Sequence, residues 1–186
     1  RIFQAARARG AGLSMDLPEP RWPRILPTRL VVAVATLGPL GTRLPAPGTW
    51  GSLAGLLYFL LLFRHSRWEV VFTWSVLLCY LAVAFCGDAA RRLGKKDPGE
   101  VILDEFAVIP LVFLGWRAGY VAGLPEWAAL LAGFALFRFY DILKPLGISR
   151  LQRWPGGWGI VADDFAAALA ACGTLHFGAW LWVLLR

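Results

Sequence analysis

The chain has 186 residues, a net charge of +7 and a 58% hydrophobic composition, with a mean hydropathy of +0.58. Charged residues make up 17%, against about a quarter in a soluble domain, which excludes an ordinary soluble domain and points to one small polytopic membrane protein. The basic excess is spread over several short loops, which argues against nucleic acid as a partner.

Residues 1–28 are rich in arginine and hold Pro18, Pro20, Pro23 and Pro27, which oppose a long helix. They read as a mobile cytoplasmic lead without the apolar core of a signal peptide. Residues 29–186 read as a single membrane domain. Its first apolar pieces, 30–40 and 53–63, are split by GTRLPAPGTWGS, and each is shorter than the about 20 residues a spanning helix needs. The first is expected to be interfacial or re-entrant, and the second to begin a tilted span. Further spans are expected over 70–86, 101–121, 127–143 and 160–185. The fold class is therefore all-α, a bundle of about four to five membrane-embedded helices. The three cysteines, Cys79, Cys86 and Cys172, lie in apolar runs without pair or metal-ligand spacing and read as packing residues.

Arg91, Arg92, Lys95 and Lys96 fall in the loop 88–100, and Lys144, Arg150 and Arg153 in the loop 144–159. The alternate loops hold fewer basic residues. The positive-inside rule puts the N-terminus and these two loops in the cytoplasm. Every charged residue within a span then lies near the same end.

The run VILDEFAVIP is where that matters most, because Asp104 and Glu105 interrupt an apolar segment and an isolated buried carboxylate is costly. Glu100 and Asp104, four residues apart, are expected on one helix face with Glu105 beside them. Arg138, Asp141 and Lys144 follow at three-residue steps, and Asp163 and Asp164 open the last span. Carboxylate oxygens suit Mg2+, which also takes substrate phosphate oxygens. Arg138 and Lys144 can hold a phosphate. The glycine-containing pieces PGTWGS, with Gly48, Thr49, Gly51 and Ser52, and PGGWGI, with Gly156 and Gly157, can bring backbone N–H groups to an anion at helix starts.

Several chemistries lack their motifs. There is no Cys-x5-Arg loop, neither histidine lies on the acidic face, and no GxxxxGK[ST] occurs. Metal-assisted hydrolysis remains.

PGTWGSLAGL (47–56), DPGEVILDEF (97–106), FRFYDILKP (137–145) and GGWGIVADD (156–164) together resemble the signature blocks of the phosphatidylglycerophosphatase A family, in its order and at similar spacing. The resemblance implies Mg2+-dependent removal of the terminal phosphate of a phospholipid substrate, phosphatidylglycerophosphate, at the inner face of the bacterial cytoplasmic membrane. It marks Asp104, Glu105, Asp141, Asp163 and Asp164 as metal or catalytic carboxylates, and Arg138 and Lys144 within FRxxDxxKP. Asp97 and Glu100 match a looser part of the pattern. Asp104 and Asp164 are expected as metal ligands, with Glu105 or Asp141 as base. The sequence departs from the family at Leu146-Gly147-Ile148, where KPxPI is usual, and at Val108, where glycine is common.

Two other readings compete with this one. Another metal-dependent lipid-headgroup enzyme, of the CDP-alcohol phosphotransferase kind, would show a spaced DG…AR…G…D…D run, which is absent. A small cation transporter would need acids throughout the membrane depth.

Overall fold

The structure, a computed structural model, describes residues 17–116 and 125–185. Among the described residues every regular element is helical. The α-helices are α1 Thr28–Ala35, α2 Pro39–Arg43, α3 Pro47–Leu62, α4 Trp68–Leu93, α5 Leu103–Val112, α6 Glu126–Leu143 and α7 Gly156–Leu184. Short 3-10 segments cover Trp22–Ile25 and Pro145–Arg153.

The boundaries have local causes. Pro39 and Pro47 stand in the first turns of α2 and α3, where a missing N–H costs nothing. α4 ends on Gly94, whose φ of +66° lets its N–H turn back to the carbonyls of Ala90 and Arg91. Arg91 and Arg92 lie in that last turn, where cations favour the helix dipole. α6 ends on Lys144 in the left-handed region, φ +45°, immediately before Pro145.

α5 occupies the centre and packs against α3, α4, α6 and α7. Leu103, Asp104 and the whole run from Ala107 to Val112 are buried, so this helix has no solvent face. All-round apolarity is the mark of an interior helix. The span expected over 101–121 is thus corrected: α5 has ten residues, about 15 Å, half of a hydrocarbon core of about 30 Å. Pro98 and Gly99 delay its start, and the chain leaves the helix at Phe113. Residues 117–121 of the expected span lie outside the described residues.

α4 and α7 have 26 and 29 residues, about 39 and 43 Å, and are long and apolar enough to cross a membrane. Only 39% and 28% of their most apolar windows are buried within the protein. Trp74 and Leu77 of α4 and Phe177, Trp180 and Val183 of α7 point outward, as do Leu57 and Leu61 of α3 and Trp127 and Leu131 of α6. α3 has 16 residues and α6 has 18 with three charged positions, so neither adds a third helix of that kind.

α3 and α6 are antiparallel. Arg64, just beyond α3, pairs with Glu126 at the start of α6 at 2.7 Å, while at the opposite end Arg138 reaches Ser52 at 3.2 Å. The start of α3 and the end of α6 therefore meet.

Of the expected mobile lead, residues 1–16 lie outside the described residues. From residue 17 the chain lies on α4 and α7. Pro23 is buried, Trp22 meets Phe85 edge-on with ring centroids 5.3 Å apart, and Trp158 donates to the Pro18 carbonyl. Asp88, buried on α4, holds Arg91 and Arg92, and Arg92 donates to the carbonyls of Pro23 and Arg24.

α4 and α7 approach closely at Gly87 and Gly157. A Cβ on Gly157 would lie 1.9 Å from the Val83 carbonyl oxygen, a backbone atom that cannot step aside without moving α4. Gly157→Ala is expected to destabilise the purified protein by about 1–3 kcal/mol, read as a lower Tm. Gly173→Ala, where the added methyl meets open space, should stay within about 1 kcal/mol of the parent.

Candidate active site

The site is built where the starts of α3, α5 and α7 meet the end of α6. The turn before α5 is held by the Val101 N–H on the Pro98 carbonyl and the Ile102 N–H on the Ala35 carbonyl. Asp104 and Glu105 then fall in the first helical turn, where the dipole favours negative charge. α6 brings Arg138 and Asp141 from its last turns, and α7 brings Asp163 and Asp164 from its second.

Arg138 joins the elements. One of its terminal nitrogens donates to Glu105 Oε1 at 3.2 Å and to Ser52 Oγ at 3.2 Å, and it stands 2.9 Å from Asp141 Oδ2. The Ser52 hydroxyl donates in turn to the Gly48 carbonyl at 2.9 Å, which leaves its lone pairs to Arg138. A Cβ on Gly48 would sit 2.1 Å from Glu105 Oε1, so the carboxylate lies directly over α3 backbone. Lys144, turned back by its left-handed φ, donates to Asp163 and lies 4.0 Å from Asp141. A non-glycine residue held in that region marks a place the surroundings over-determine.

Asp164 is buried among the others and feels the charges of Asp104, Asp141, Glu105 and Asp163. Asp104 is buried beside Glu105, with Asp97 also acting on it and Cys86 of α4 against its backbone. The acids outnumber Arg138 and Lys144. Among the described residues, three buried carboxylate oxygens have no hydrogen-bond partner: Asp104 Oδ1, Glu105 Oε2 and Asp163 Oδ1. Buried carboxylates in excess of their basic partners are a functional signature in an apolar bundle.

The structure thus brings Asp104, Glu105, Asp141, Asp163, Asp164, Arg138, Lys144, Gly48, Gly51 and Ser52 to one end of the bundle. Four expected positions are not part of this group. Glu100 is not on a helix face with Asp104, because Pro98-Gly99 keeps it in the loop. It pairs with Lys95 at 2.6 Å, and this bond and charge hold its carboxyl below the ordinary range. A Cβ on Gly157 would meet the Val83 carbonyl of α4, and a Cβ on Gly156 would meet the Glu19 carboxylate at 1.8 Å, so the space at both is taken by α4 and the N-terminal segment. The Thr49 N–H is used by the Ala46 carbonyl at 2.9 Å. Gln152 lies beside Asp163 and Cys86 against Asp104; an uncharged side chain in a basic loop and a cysteine that reads as packing carry no sequence signal for such a place. The i, i+4 spacing of Asp88 and Arg92 is the local pattern behind their pair.

The donor set suits a hard divalent cation: every candidate is a carboxylate, and three unpaired oxygens lie among them. Among the described residues no three His, Cys, Asp or Glu side chains converge closely enough to form a metal cage as they stand. The fit is therefore one of donor chemistry and unpaired oxygens.

The site sets a guanidinium and an ammonium among excess carboxylates at the end of an apolar helical bundle, a chemistry that suits a phosphate group. A family model described as Phosphatidylglycerophosphatase A matches residues 33–179, and the chain belongs to that family, whose members are phosphatases. The phosphatidylglycerophosphatase A of Haemophilus influenzae is 35% identical over 143 residues, 75% of this chain and 82% of its own. That of Escherichia coli is 31% identical over 139 residues, 74% and 77% of the two chains. A Bacteroides thetaiotaomicron protein provisionally named a phosphatidylinositol-3-phosphatase is 30% identical over 161 residues, 83% of this chain and 97% of its own. No solved structure matches the chain.

Arg138→Met strands Glu105 and Asp141 in the interior. A loss of about 3–5 kcal/mol in unfolding free energy is expected. Adding Glu105→Gln and Asp141→Asn should restore part of the Tm, because the stranded charges are then gone.

Proposed function

We propose that the protein hydrolyses the terminal phosphomonoester of phosphatidylglycerophosphate, releasing phosphate and phosphatidylglycerol, with Mg2+ as its cofactor. The observation that carries this is Arg138, which binds α3, α5 and α6 together beside unpaired carboxylate oxygens, inside the region the family model matches. Two relatives bear the name of this activity.

Arg138 and Lys144 bind the phosphate oxygens: the guanidinium offers a planar pair of donors and the ammonium a point charge. Both are engaged with acids in the structure, so the incoming phosphate exchanges one anionic partner for another. Glu105 has one oxygen fixed by Arg138 and the other free, and it is the base that takes the proton of the attacking water. Asp104, Asp163 and Asp164 would hold Mg2+. When bound, the ion would neutralise phosphate charge and lower the pKa of a water. The water oxygen forms the new P–O bond as the P–O bond to glycerol breaks, and the proton taken by Glu105 passes to the departing glycerol oxygen, which the lipid keeps as a hydroxyl.

The outward apolar faces of α3, α4, α6 and α7 support a multi-pass position in the bacterial inner membrane, with these helices embedded. The basic loops 88–100 and 144–159 support a cytoplasmic active-site end and a cytoplasmic N-terminus. There the headgroup meets the acids while the chains stay in lipid.

The test is phosphate release by the detergent-purified protein from phosphatidylglycerophosphate and from phosphatidylinositol-3-phosphate, with Mg2+ or EDTA. Turnover of the first lipid is expected, lost in EDTA and in Asp104→Asn. Glu105→Gln should lower kcat by about 10²–10⁴-fold, the usual worth of a general base. Glu100→Gln, outside the cluster, should stay within a few-fold of the parent. Turnover of the inositol lipid alone would overturn the substrate reading, and full activity in EDTA would overturn the metal.

A further inference from the structure

Beside the acid cluster lies a recess of different chemistry. Between α4 and α7 is a cavity of about 480 Å³, walled by Val76, Tyr80, Phe165 and Leu169 and bounded towards the charged end by Trp154 and Trp158. Its size is that of a ligand site. On the other side of Trp154 is a smaller cavity of about 140 Å³, with Lys96, Asp97 and Gln152 on its walls. Gln152 stands beside Asp163, and Asp97 acts on Asp104. Trp154 is thus shared by an apolar and a polar recess, and the polar one borders the candidate site.

We propose that the α4–α7 groove holds one acyl chain of the phospholipid whose phosphate is hydrolysed, with the lipid crossing from hydrocarbon to headgroup at Trp154. This deepens the phosphatase reading and rests on it. An acyl chain fits for three reasons. The groove lies between the two helices of membrane-crossing length, both largely unburied, so a bilayer lipid enters it without leaving the hydrocarbon. Its lining is almost wholly apolar, so a peptide would bring backbone polar groups without partners, whereas a hydrocarbon chain brings none. The polar recess it adjoins carries Lys96, which attracts an anionic headgroup, and tryptophan is the side chain that sits where hydrocarbon meets water.

A bound chain also gives the site a register. Anchored along α4 and α7, the lipid presents its phosphate at a set height, next to Lys144 and Asp163. A short-chain analogue, free of the groove, loses that alignment.

Ala162 and Ala166 line the groove, and a large side chain there fills it. The full chain with Ala166→Trp, in mixed micelles, is assayed on dioleoyl and dibutanoyl phosphatidylglycerophosphate. The long-to-short ratio of kcat/KM is expected to fall about tenfold or more, since pockets of this kind read single methylenes. Leu57→Trp, on the outward face of α3, should leave the ratio as in the parent. An unchanged ratio in Ala166→Trp overturns the proposal.

A second measurement does not need turnover. A phosphatidic acid with a photoreactive diazirine on its acyl chain is expected to label Tyr80, Phe165 and Leu169, mapped by peptide mass spectrometry. Excess phosphatidylglycerophosphate should compete with it and phosphatidylcholine should not. If the parent releases no phosphate, the phosphatase reading fails while this labelling still decides the groove. Equal labelling of Leu57 and Leu61, with no headgroup preference, overturns it. A dimer that Ala166→Trp splits to monomers overturns it too, and assigns the groove to a second copy.

Discussion

The contact on which this structure turns is the Arg138 guanidinium held between Glu105, Asp141 and Ser52. Each partner comes from a different helix, and each carboxylate lies largely out of solvent. In a medium of low polarity a charge needs a partner more than in water, and the partner's position dictates where the helices stand. α3 must bring its small residues to Glu105, α6 must end here, and α5 must start here. Lys144 repeats the device between α6 and α7, through Asp163 and Asp141.

The central helix explains why the charges are tolerated. α5 is short and enclosed, so its acids meet protein on every side instead of lipid. The enclosing helices then carry the apolar outer face. Asp104, Glu105 and Asp163 nonetheless keep one unpaired oxygen each. Fully paired, these acids would do no more than fix the packing. Left partly unpaired, they are open to a cation or a proton, as the proposed hydrolysis asks of them.

The same end of the bundle shows how packing reassigns residues that look functional. PGTWGS and PGGWGI read alike as flexible, anion-accepting helix starts. In α3 the glycine-rich turn indeed lies under Glu105. In α7 the corresponding glycines are committed to the close approach of α4 and to Glu19 from the N-terminal segment. A glycine tells that something comes near. It does not tell whether a ligand or a helix does.

The sequence by itself determined the helical class, the long apolar segments of α4 and α7, and the four charged blocks at one end, because apolar runs and like-ended charges are local patterns. It also placed Asp104, Glu105, Arg138, Asp141, Lys144, Asp163 and Asp164 in one group. Only the tertiary structure decided that α5 is a buried ten-residue helix and not a span, that Glu100 pairs outward with Lys95, and that Arg138 binds three helices. It alone placed Gln152 and Cys86 beside the acids and hollowed the groove between α4 and α7. The reason is physical. Periodicity and hydropathy report whether a segment avoids water, but protein and lipid look the same to an apolar side chain. Which of the two it meets depends on partners distant in the chain.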